Sequence, residues 1–242
     1  MKVSFVTVAT PPYIQYLKVM LHTFMENSGL ADPSRPMYII HHEIGPVKKK
    51  ELKAICPQVV FVAIDVEKWT ALKKRNPKYW SLASFGMVHP AAVDRLIYFD
   101  ADLVFVKPVT ELLEVKVKLG MVHEKRRNCF NAGLMVIDRS VLDRELLDTL
   151  LDIHKVRGEF GHDQWIINDF FKGKIDPLPM EFNTLLSELD FLTDRSDAKI
   201  LHYIYKPDCE ERATRIPEWC REIYKEAAAG AERKVASCAL LF

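Results

Sequence analysis

Four short apolar runs punctuate the first hundred residues, and segments with helical spacing separate them. Residues 2–9 read as a strand, ended by Thr10, Pro11 and Pro12. Ile14, Leu17, Leu21, Phe24 and Met25 then recur at helical spacing until Ser28 and Gly29 close the helix. Residues 37–41 form a second strand, 47–55 a Lys-rich helix, and the β-branched run 59–64 a third strand. The segment 79–88 reads as a helix, and 95–99 as a strand running into Asp100. Strands that are apolar throughout and alternate with helices imply an α/β unit, its mostly parallel sheet covered on both faces.

Past residue 106 the pattern loosens. A Pro-started short helix spans 107–113, and short strands at 119–123 and 134–137 flank the basic stretch Lys125, Arg126, Arg127. A long helix covers 140–157 with Ser140 as its N-cap, and further helices cover 163–171 and 217–229 before a terminal tail. No repeat, low-complexity tract or linker divides the chain, and 242 residues at 49% hydrophobic suffice for one cored domain.

Several function classes drop out. A net charge of +1 supplies no field that would draw the chain onto nucleic acid. The longest apolar run, 59–64, is six residues, against about 20 for a membrane-spanning helix. The first residues meet polar side chains too early for a secretory leader, so a cytoplasmic protein is expected. Five cysteines, an odd number with no C-x-x-C pair, read as free thiols in a reducing compartment. Nine glycines, none two apart, exclude both the G-x-G-x-x-G fingerprint and the P-loop. Neither G-x-S-x-G nor H-E-x-x-H occurs.

The sharpest local feature is the run from Arg95 to Phe105, RLIYFDADLVF. Asp100 and Asp102, two apart on an extended chain, project to one side and can share a cation. With 16 aspartates in the chain, about one such pair is expected by chance, so placement carries the weight. An apolar strand delivers both carboxylates to a strand end, where open α/β sheets bind ligands. Three readings compete: a solvated turn, a hard-metal site bridging a diphosphate, and the aspartyl nucleophile of a phosphatase. The last resembles the D-x-D of haloacid-dehalogenase-type phosphatases, but that motif usually lies on the first strand and is followed by threonine or glycine.

The pair is followed by FNAGLMVID (130–138), GHDQWIIND (161–169) and KILHYIYKPD (199–208). In this order the set resembles glycosyltransferase family 8, over most of the chain up to about residue 208. The resemblance implies a GT-A fold and transfer of a sugar from a nucleoside diphosphate donor, UDP-linked, to a glycan or other hydroxyl acceptor with retained anomeric configuration. It divides the single domain into a nucleotide-binding half (about 1–105), a sugar and acceptor half (about 106–210) and a C-terminal helix and tail (about 211–242). Asp100, Ala101 and Asp102 match the family motif that holds Mn²⁺, or Mg²⁺, against the donor diphosphate. His202 matches the third metal ligand, and an imidazole favours Mn²⁺. Lys206 matches a phosphate-contacting lysine that would offset charge on the departing diphosphate.

By the same resemblance, Asn131, Ala132 and Gly133 match a turn lining the donor sugar. Asp163 matches a residue that binds sugar hydroxyls, and Gln164 one lying near the anomeric carbon. Ala9, Thr10 and Tyr13 match the segment that cradles base and ribose. Two departures stand out. Pro11 and Pro12 replace the polar residue usual after the threonine, removing backbone donors. No basic residue lies between Trp80 and Val88, where the family directs one at the diphosphate; Lys78, Arg126 or Arg127 could compensate, or Lys206 and the metal suffice. In the tail, Lys225, Arg233 and Lys234 with Cys238 to Phe242 read as a frayed helix, or as a weak peripheral membrane contact. A catalytically silent sugar-nucleotide-binding module is the remaining alternative.

Overall fold

The computed structural model describes residues 1–64, 81–88, 90–157, 163–203 and 216–239. Its central sheet contains β1 (Val3–Ala9), β2 (Met37–His41), β3 (Val59–Ala63), β4 (Arg95–Phe99), β6 (Leu119–Glu124), β7 (Cys129–Asp138) and β8 (Asp176–Leu178). The spatial order is β3-β2-β1-β4-β7-β6-β8. β7 runs antiparallel to both neighbours; all other pairings are parallel. Strand order reverses between β1 and β4, which opens the crevice where ligands bind in sheets of this kind. A second sheet, β5 (Leu103–Phe105), β10 (Ile200–His202) and β9 (Thr184–Leu185), stands beside that crevice.

Both faces of the main sheet are covered. Phe5, Met37, Ile39, Ile97 and Phe99 meet α1 (Ile14–Asn27) and α2 (Pro46–Ile55) through Leu17, Met20, Phe24, Leu52 and Ile55. Val6, Ile40, Leu96, Met135 and Ile137 face α3 (Ser84–Met87), α4 (Arg144–Arg157) and α5 (Asp163–Phe170) through Phe85, Leu147, Leu150, Ile166 and Ile167. Phe5, Phe24, Phe99 and Phe105 form an aromatic cluster with centroids 5.1–6.1 Å apart. Each fully buried ring contributes roughly 1.5–3 kcal/mol, and together they fix the strands on either side of Asp100–Asp102.

Three sequence expectations need correction. Ser140 does not cap the long helix: it lies in a 3₁₀ turn (Arg139–Val141) capped by Asp138, and α4 begins at Arg144, where Asp143 Oδ1 accepts from Glu145 N. The segment 107–113 forms only a 3₁₀ turn, Thr110–Leu113, because the chain is pinned to the end of α1 by Val109 N donating to Ser28 O. The tail to residue 239 is not frayed. It continues α6 (Glu218–Ala239), whose buried Ala227, Gly230 and Ala231 pack inward, with Lys18 of α1 bonding Glu51 of α2 and Glu232 of α6 at 3.0 and 2.9 Å. Among the described residues no helix is long and apolar enough to cross a membrane.

α6 comes close to α1 at Gly230, where an added methyl would overlap His22 Nε2 and lie 2.9 Å from Cδ2. Gly230→Ala is expected to cost about 1–3 kcal/mol through overpacking. Urea unfolding of the variant checks it, and an unchanged midpoint would show that the His22 ring gives way without cost.

Candidate active site

Asp100 and Asp102 flank Ala101 in the turn between β4 and β5, at the open edge of the crevice. The turn is held from two sides: Asp100 N donates to Gly133 O at 2.8 Å, and Tyr203 N donates to Asp102 O at 3.0 Å. β10 pairs antiparallel with β5 and places His202 opposite Leu103. The imidazole Nε2 therefore comes to 3.4 Å from Asp102 Oδ1 and 3.7 Å from Asp100 Oδ2. These three residues offer ligand atoms within 4.8 Å of one another.

Electrostatics shows that the cluster suits a cation. Burial, and then the Asp102 charge, push the Asp100 carboxyl up to about 7, against the opposing pull of His202 and the Tyr98 hydroxyl. Burial alone would lower the His202 imidazole, but Asp102 and Asp100 outweigh it and hold it above its ordinary value. A carboxyl held up by its neighbour's charge is relieved by a shared divalent cation. Oxygen, oxygen and imidazole nitrogen form a donor set that Mn²⁺ accepts. The residues present fit such an ion.

Beside the cluster lies a buried polar network. β7 leaves β6 in a bulge: Val122 pairs with Asn131 and Met121 with Met135, so Ala132, Gly133 and Leu134 have no partner on β6. The Asn-Ala-Gly segment is thus a strand bulge rather than a turn, because β4 continues to hold its other edge through Phe99 and Asp100. Within it, Gly133 N donates to Asn131 Oδ1 at 2.9 Å. Asn131 Nδ2 donates to Gln164 Oε1 at 3.1 Å and Glu124 Oε2 at 3.3 Å, and Gln164 Nε2 donates to Glu124 Oε2 at 3.1 Å. Glu124 is 2% exposed, and Arg127 Nε offsets its charge at 3.1 Å.

Asp163 opens α5, accepting from Ser81 Oγ at 2.5 Å and from Gln164 N at 2.8 Å. Its charge reaches Asp100, whose carboxyl it helps to raise. Ala9 ends β1 and Thr10 follows it; Tyr13 is pushed up by burial, then by the charges of Asp102 and Asp100. The Thr10 hydroxyl is buried with no partner among the described residues. The structure thus brings Asp100, Asp102 and His202 together, seats Asn131, Gly133 and Gln164 in one network, and puts Asp163 and Tyr13 within electrostatic range of the carboxylates. Lys206 and Lys78 lie outside the described residues. Arg126 and Arg127 are engaged elsewhere, by Ser187 O with Asp190 and by Glu124.

Sequence reasoning missed Tyr98, Glu124, Asn183 and Ser81. Tyr98 donates to Asp100 Oδ1 at 2.5 Å, and its place two residues before Asp100 on one strand face was a usable signal. Glu124 ends an apolar strand, a weaker signal; Asn183 carried none.

A seven-stranded α/β sheet of this order, with an acidic pair at its switch point, is a GT-A type transferase fold. Solved structures agree. The galactosyltransferase LgtC, determined with donor and acceptor sugar analogues, superposes with a TM-score of 0.74 at 17% identity, covering 93% of this chain and 95% of that one. GlyE of Streptococcus pneumoniae TIGR4 gives 0.70 at 18% identity, covering 98% and 63%. The sequence profile of Glycosyl transferase family 8 matches residues 13–207, and the chain belongs to that family. Among curated relatives, glycosyltransferase GlyF of Streptococcus pneumoniae serotype 4 is 22% identical over 202 residues. A putative UDP-glucuronate:xylan α-glucuronosyltransferase 5 of Arabidopsis thaliana is 28% identical over 99 residues. The matches cover 77% and 41% of this chain but 50% and 17% of those relatives, so the chain spans half or less of these curated relatives' length. These comparisons favour the transferase over the phosphatase.

Proposed function

We propose that the chain is a Mn²⁺-dependent, retaining glycosyltransferase that moves a sugar from a UDP-linked donor to a glycan hydroxyl. The observation that carries this reading is the Asp100–Asp102–His202 cluster at the switch point of the sheet, backed by the buried Glu124–Asn131–Gln164 network. A divalent cation bound there supplies positive charge against the donor diphosphate. Asp100, Asp102 and His202 would hold it.

The chain's own residues do the rest. The Thr10 hydroxyl, buried without a partner among the described residues, and the Tyr13 ring would meet the base and ribose at the end of β1. Asp163, braced by Ser81, holds sugar hydroxyls and so fixes the ring. Gln164, its amide oriented by Glu124 and Asn131, would lie under the ring, and the family match would have Lys206 meet the leaving phosphate. An amide is a poor nucleophile, so retention proceeds by front-side attack, the departing phosphate taking the acceptor's proton. The half up to about residue 105 handles the nucleotide, and 106–210 the sugar and acceptor. Free thiols at Cys56, Cys129 and Cys220 suit a reducing cytoplasm.

Gln164→Ala should slow turnover without abolishing it. Asp163→Asn should lose about 100-fold in kcat, because displacing the reacting centre by ~1 Å costs that much. Steady-state assays of both variants, with proton NMR of the first-formed product, test the reading. An inverted anomeric linkage would refute it.

A further inference from the structure

Asn183 is fully buried between the metal cluster and the sugar-pocket amides, and its two polar atoms face different sites. The hydrogen-bond polarity of this region can be read from one fixed point. Gly133 N–H can only donate, and it bonds Asn131 Oδ1 at 2.9 Å. That oxygen is therefore an acceptor, and the Asn131 amino group points the other way, to Gln164 and Glu124. Asn183 meets the same Asn131 oxygen at 2.8 Å, so it must do so through Nδ2. Its own Oδ1 is left facing His202 Nδ1 at 2.9 Å. A carbonyl oxygen only accepts, so the ring proton sits on Nδ1. Nε2 then keeps its lone pair, and it is Nε2 that faces Asp102 and Asp100.

We propose that Asn183 is a positioning residue: it locks His202 in the Nδ1–H tautomer, so that Nε2 is presented as a metal ligand. The inference rests on the reading of Asp100, Asp102 and His202 as a metal site. With the opposite tautomer, an N–H would point at the ligand position and two lone pairs would meet at Asn183 Oδ1. Partners of this kind, which orient a ligating histidine through its other nitrogen, change metal affinity by about 10–100-fold when removed. Because Asn131 both lines the sugar pocket and anchors Asn183, the relay links donor sugar to metal through three side chains.

The test begins with the unaltered protein. In ¹⁵N-labelled, metal-free material at alkaline pH, where the ring is neutral, two-bond ¹H–¹⁵N correlation should show His202 protonated on Nδ1 and bare at Nε2. Protonation on Nε2 would overturn the relay. Mn²⁺ titration followed by electron paramagnetic resonance, with no donor present, then separates the variants. Asn183→Ala should weaken Mn²⁺ binding by about 10–100-fold. Asn183→Asp retains an acceptor for Nδ1–H and should bind Mn²⁺ about as the parent does, while its second oxygen opposes Asn131 Oδ1 and raises the KM for donor. Undiminished affinity in Asn183→Ala, or equal losses in both variants, would refute the positioning role. A parent protein without Mn²⁺ affinity would overturn the metal reading and the role together, whereas one that binds Mn²⁺ but is protonated on Nε2 overturns the relay alone.

Discussion

Asp102→Asn should abolish Mn²⁺-dependent donor binding and leave the fold intact. The residue lies in the short turn between β4 and β5, and its backbone carbonyl already accepts from Tyr203 N at 3.0 Å, a bond the substitution preserves. What is lost is one of two carboxylate charges, and with it the closer of the two contacts to His202 Nε2, at 3.4 Å. The His202 imidazole is held up chiefly by Asp102 against its own burial, so it becomes easier to deprotonate but has one fewer partner at the ion. Removing a residue that only supports a ligand costs about 10–100-fold in metal affinity, and removing a ligand should exceed about 100-fold. Calorimetric titration with UDP and Mn²⁺, alongside circular dichroism, checks both halves of the expectation. Unchanged affinity and metal dependence would show that the aspartate pair is not the metal site.

Gly133→Ala should be nearly as damaging, although glycine carries no chemistry. A methyl at this position overlaps His202 Cε1 and lies 2.7 Å from Nδ1 and 2.9 Å from Asn131 Oδ1. Nothing nearby can give way cheaply. His202 is 3% exposed and bonded to Asn183, and the Gly133 backbone is tied to Asp100 N and Asn131 Oδ1. The ring must move by something like 1 Å, which costs about 100-fold in rate, and the overpacked bulge costs a further 1–3 kcal/mol or so of stability. Turnover, Mn²⁺ affinity and the denaturation midpoint should therefore fall together. A variant with parental Mn²⁺ affinity would mean that His202 does not depend on this close approach.

The order of these sensitivities reflects what a sequence can display. Local signals set the first half of the fold: the strands at 37–41 and 95–99 appear in the structure with the bounds that their apolar runs suggest. The aspartate pair was readable because both residues share one strand end. His202 became interpretable only through its motif, since its pairing opposite β5 is a contact about a hundred residues long-range. The bulge at 131–134 could not be read, because it depends on β4 holding one edge of β7 while β6 releases the other. Asn183 and Glu124 were hidden for the same reason. A buried polar residue is recognisable by its partners, and those partners are brought together only by the folded sheet. The extension of α6 past residue 229 was missed because Ala, Lys and Arg suit a solvated helix end as well as an inward-packed one.

If Asp100, Asp102 and His202 hold a divalent cation, donor binding depends on that ion. Isothermal titration of the unaltered protein with UDP, first with Mn²⁺ and then with excess EDTA, tests it most directly. With Mn²⁺ present, UDP should bind saturably at one UDP per chain, and chelation should remove that binding; equal UDP affinity in the two conditions would show that donor binding does not depend on a metal.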